Sequence, residues 1–128
     1  MSRLLMGLLI GMLTTAADAQ DDDHHDFPPS VMHFHEIMAP LVHAPPSPER
    51  AKTVCQNTER LNEYAARLTR APVPDGVSGV NWSLAAERLS ESTTMLRDAC
   101  ADNNFKDSWL ADVNSRFHQL VRLVGHDH

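Results

Sequence analysis

The sequence predicts an all-α protein: an antiparallel four-helix bundle with a short first helix, and a disulfide linking helices two and three. Three observations carry that expectation. Apolar and small residues recur in steps of three and four along four separate stretches, which is the helical period. Clusters of proline, glycine, aspartate and asparagine, which interrupt helices, part those stretches. No segment alternates apolar and polar residues as a half-buried strand does.

Residues 1–19, MSRLLMGLLIGMLTTAADA, combine a basic start at Arg3, an apolar run from Leu4 to Leu13 and the small residues Ala17 and Ala19. That is the layout of a secretory signal peptide, cleaved after Ala19. The run is about half the roughly twenty residues that span a bilayer, which favours cleavage over an uncleaved anchor. Export to the periplasm or beyond is therefore expected. Residues 20–30, QDDDHHDFPPS, read as a flexible acidic tail stiffened by prolines at its end.

The bundle domain spans 31–128. Ser30 is the expected cap of a helix from Val31 to Ala39, with an apolar stripe of Phe34, Ile37, Met38 and Leu41, and Pro40 is expected to end or kink it. Ser47-Pro48-Glu49 combines a hydroxyl cap, a proline at the first helical position and an acid in the first turn. The second helix then runs unbroken to Arg70 on the seam Ala51, Val54, Thr58, Leu61, Ala65 and Leu68. Residues 71–80, APVPDGVSGV, form a loop. Asn81 caps a third helix with Trp82, Ala85, Leu89, Ser92, Leu96 and Ala99 inward. Asp102-Asn103-Asn104 ends that helix and caps a fourth, where Leu110, Val113, Phe117, Leu120 and Val124 repeat the pattern up to Gly125.

Cys55 and Cys100 are the chain's two cysteines. Their midpoint falls within about one helical turn of the centre of the 71–80 loop, so an antiparallel hairpin puts them at the same height. In an oxidising compartment the expected outcome is one structural disulfide. There is no CxxC or CxxCH pattern, and a thiol pair serving as soft metal ligands is the alternative.

The formal net charge is −6, and the eleven Lys and Arg residues never form a basic run, which argues against nucleic-acid binding. The charge suits cationic partners instead. The eight histidines are unevenly placed: five between residues 24 and 43, three between 118 and 128, and none between. Imidazoles beside carboxylates are donors for nickel, cobalt, zinc or cupric ions.

The candidate ligands divide by position. His24 and His25 lie in the acidic tail. His33 and His35 point about 200° apart on a helix, so one ion cannot take both. The useful neighbours three residues apart are His33 with Glu36, and His35 with Met32 or Met38. His43 follows Pro40. His118 lies inside the last helix, where a neighbouring carbonyl or hydroxyl could equally satisfy it, and His126 and His128 come after it. Height matching sets His35 level with Cys55 and away from His118, while His24, His25, His118, His126 and His128 gather at one end, which makes two clusters.

His35-Glu36-Ile37-Met38 follows an acidic His-bearing segment and precedes Pro40-Leu41 and Glu49-Arg50. This stretch resembles the first helix of the periplasmic heavy-metal sensor and resistance proteins, exported helical hairpins that bind nickel, cobalt, zinc or copper. The resemblance spans roughly residues 24–50 and implies a ligand role for His35 and, more loosely, for His118. The family's second histidine, one turn on, is replaced here by Ala39, and Arg122 stands one turn after His118.

The expectation is a non-enzymatic, exported binder of a divalent transition metal for buffering, resistance or sensing. His35-Glu36 is not HExxH, and no serine or cysteine nucleophile motif occurs. Two other classes stay open. One is a structural or interaction module with Trp82, Trp109, Phe105 and Phe117 as core or anchor residues. The other is a b-type haem bundle with Met32 or Met38 and His118 as axial ligands. The residues also leave open a membrane-bound or periplasmic protein partner and a homodimer.

Overall fold

The computed structural model describes residues 27–125. The signal-peptide expectation, most of the acidic tail and the histidines at 24, 25, 126 and 128 lie outside the described residues. Five helices occur in order: α1 (Pro29–His43), α2 (Pro48–Gln56), α3 (Thr58–Arg70), α4 (Gly79–Ala101) and α5 (Asp107–Gly125), with no strand among the described residues. None of them is long and apolar enough to cross a membrane.

Helix α1 differs from expectation at both ends. Its N-cap is Pro28 rather than Ser30, and Pro29 takes the first helical position, where a missing amide costs nothing. It also runs through Pro40 to His43. Pro40 removes one amide donor, but continuing the helix buries Leu41 beside Ile37 and Met38, and the Ala44 amide closes on the Pro40 carbonyl at 3.2 Å.

The second expected helix is two helices. Ser47 caps α2 as expected, its hydroxyl accepting from the Arg50 amide at 3.0 Å. The break falls at Asn57, whose amide turns to the Val54 carbonyl at 2.9 Å while its side-chain amide donates to the Thr53 carbonyl. The next residue, Thr58, donates its hydroxyl to the Cys55 carbonyl at 3.2 Å. Side-chain donors thus take up carbonyls that the helical ladder would use, which is how Asn and Thr interrupt helices.

Helix α4 is capped by Ser78, not Asn81; the Ser78 hydroxyl accepts from the Asn81 amide at 3.2 Å. Its inward residue after Trp82 is Ala86 rather than Ala85, which is only half-buried. Residues 102–104 close α4 instead of capping α5. Asn103 sits at φ 57°, its amide reaching the Cys100 carbonyl, and the Asn104 amide reaches the Ala99 carbonyl at 2.7 Å. These two bonds and the left-handed asparagine make a Schellman stop.

The core collects residues from every helix: Phe34 and Met38, Val54, Leu61 and Leu68, Trp82, Leu89 and Leu96, and Leu110, Phe117 and Leu120. Helix α3 packs on α4, α4 on α5, and α1 lies against both α3 and α5. The Phe34 and Phe117 rings meet at 4.8 Å between centroids. The expected disulfide is present, joining Cys55 of α2 to Cys100 of α4 with Cα atoms 5.5 Å apart. Several polar side chains at the core pair across helices, while the indole nitrogens of Trp82 and Trp109 are buried without a partner among the described residues. Asn62 Oδ1 of α3 accepts from Thr93 and Thr94 of α4 at 3.0 and 2.9 Å, and Ser92 donates to Asp112 of α5 at 2.6 Å.

Candidate functional site

Helix α1 distributes its titratable residues over two faces, because its buried stripe of Val31, Phe34, Ile37, Met38 and Leu41 faces the bundle between them. His33 and Glu36 fall on one side, in a cleft with Thr53, Asn57, Arg60 and Tyr64. The His33 ring lies 5.7 Å from that of Tyr64. His35 falls on the other side, as the angular spacing requires.

There the structure corrects the height-matching expectation. His35 and His118 line one cleft of about 260 Å³, together with Phe27, Val31, Met32, Phe117 and Val121. Both imidazoles lie beside the same aromatic ring: His35 stacks over Phe117 at 6.3 Å, and His118 meets it edge-on at 6.4 Å. The expectation treated the first helix as standing against the second alone. In the fold α1 also contacts α5, and that contact carries His35 to the last helix.

Apart from the two imidazoles and the Met32 thioether the cleft is apolar. Both histidines are solvent-exposed residues, so their nitrogens are open to an incoming ion. Among the described residues no three His, Cys, Asp or Glu side chains converge on one point. His43 is exposed at the end of α1 and lines none of the clefts described here. Glu36 stays with His33, away from His35.

Phe27 is the contributor that sequence reasoning missed. A Cβ on Gly125 would lie 3.6 Å from the Phe27 ring, so the two ends of the described chain meet beside the cleft. A signal for it was available. Phe27 precedes the N-cap and Met32 is the fourth helical residue, the two positions of a hydrophobic staple. Both line this cleft.

The aromatic residues considered as partner anchors are occupied in the core. Trp82 and Phe117 are buried in the core, and Phe105 and Trp109 pack partly buried against it. No family model, curated protein or solved structure matches the chain.

Proposed function

We propose that this is a non-enzymatic exported protein that binds a divalent transition metal, with His35, His118 and Met32 as the fixed donors of its site. One observation carries the reading: a histidine from α1 and a histidine from α5, distant in sequence, line one small cleft with a thioether. Nickel, cobalt, zinc and copper all accept imidazole, and the thioether favours copper among them. The further donors would come from His24, His25, His126 and His128. Those positions stand within three residues of Phe27 and Gly125, a reach of about 10 Å at roughly 3.5 Å per residue. Buffering, resistance or sensing in the periplasm or outside the cell is the role that such a site suits. His33, Glu36 and His43 would be at most secondary contacts.

An antiparallel four-helix bundle, with α2 and α3 together as one interrupted member, is the architecture we read behind this site. Two cross-helix pairs support it. Cys55 pairs with Cys100, and seven residues forward along the chain Asn62 meets Thr93, seven residues back on the other strand of the hairpin. Chains running in opposite directions keep such a register. Haem is the weaker alternative. Met32 and His118 do share the cleft, but its 260 Å³ falls short of the ~300–1,000 Å³ typical of sites for drug-sized ligands.

Calorimetric titration of the oxidised protein with copper, nickel and zinc at neutral pH tests the reading. Micromolar binding is expected, with a rise in melting temperature because the ion binds the native state. Replacing His35 and His118 together by glutamine should abolish both effects, while His43→Gln leaves them. Unchanged binding in the double variant would end the proposal.

A further inference from the structure

His118 also borders a second cleft. It measures about 460 Å³ and is lined by Val42, Arg50, Asp107, Asn114, Ser115, His118 and Arg122, among others. Its chemistry is different: two guanidinium groups, an amide and a hydroxyl around a single carboxylate. Arg50 is held in place, with only 10% of its side chain exposed. One amino group donates to the Ala44 carbonyl at 3.0 Å and the other to Asp107 at 2.8 Å. A guanidinium has five N–H donors, and these bonds use two of them; its Nε is buried with no partner. Asp107 is neutralised by that ion pair, so Arg122 leaves the cleft net positive in a chain whose formal charge is −6.

We infer that this cleft is a binding site for a small oxyanion, a carboxylate or phosphate group gripped by Arg122 and the second hydrogens of the two terminal nitrogens of Arg50. The planar fork of arginine matches both anions, and a preordered guanidinium loses little freedom on binding. Asn114 and Ser115 supply neutral donors on the same face of α5, one turn before His118 and two turns before Arg122. The site stands independently of the metal reading, since neither Arg50 nor Arg122 is a metal donor.

The test is an NMR titration of the oxidised, metal-free protein with succinate and, separately, with inorganic phosphate. Saturable shifts at the backbone amides of Asn114, Ser115 and Arg122 are expected with at least one of them, and the anion that binds more tightly identifies the source. Arg122 is exposed, so Arg122→Gln should fold normally and bind about tenfold more weakly. Asp107→Asn removes the competing carboxylate and should bind more tightly. Failure of both anions to saturate by about 10 mM, an Arg122→Gln affinity equal to that of the parent, or weaker binding by Asp107→Asn would each overturn the inference.

Discussion

Single residues determine whether the cleft keeps its shape. Phe34 is fully buried and packs face to face, tilted, on Phe117, the ring beside both imidazoles. Phe34→Ala removes that support and leaves a cavity, so a loss of about 3 to 5 kcal/mol is expected in urea unfolding. Where the protein still folds, metal affinity should fall with it, because the α1–α5 contact is what brings the histidines together. Asn62 acts through hydrogen bonds. Its Oδ1 accepts from two threonines, yet both hydroxyls keep the Ser90 carbonyl as an alternative acceptor. Asn62→Ala therefore leaves no donor stranded, and the expected cost is about 1 to 2 kcal/mol. A larger loss in the same assay would mean that Asn62 is needed for packing as well.

At the scale of elements, α1 is the least consistent with its own sequence. Pro40 inside it forgoes one backbone bond, and the Glu36 carbonyl loses its partner one turn back. The Pro40 side chain is exposed, so its removal sacrifices little packing. Pro40→Ala should raise stability by about 1 to 2 kcal/mol, the gain in helix propensity less the greater freedom of the unfolded chain. Thermal unfolding by circular dichroism checks the sign. The helix boundary was legible at Ser47-Pro48-Glu49, where a hydroxyl cap, a first-position proline and an acid all agree, but not at Ser30, where Pro28 caps the helix earlier. Nor was it legible at Asn57 or at Pro40. At Asn57 two side chains took carbonyls from the ladder, and at Pro40 distant packing outweighed a local breaker. Ser78 and Asn81 were three residues apart, both competent caps, and only the geometry of the loop chose between them.

For the whole molecule, the disulfide is the main constraint on the unfolded chain. Cys55 and Cys100 close a loop of 45 residues, for which chain entropy gives about 4 kcal/mol. Reduction under native conditions should lower the free energy of unfolding by about that amount, measured by urea unfolding extrapolated to water, with a steeper slope because the reduced unfolded chain is more expanded. A domain of this size has only about 5 to 15 kcal/mol in total, so the reduced form should also open α2 and loosen the Arg50 side of the second cleft. The exposed Val73 of the loop before α4 and Val80 and Leu84 at the start of α4 share a surface, and none of them lines either cleft.

The sequence by itself determined the helical class, most of the buried stripe of each helix, the pairing of the cysteines and the divergence of His33 from His35. Each follows from local periodicity or from a simple register, which a chain carries in its residue order. Only the tertiary structure decided that His35 shares a cleft with His118, that Phe27 lies beside Gly125, and that Arg50 and Arg122 share a cleft. Those proximities depend on how α1 and α2 lie against α5, and helix packing of that kind is set by the shapes of side chains far apart in the chain rather than by any spacing along it.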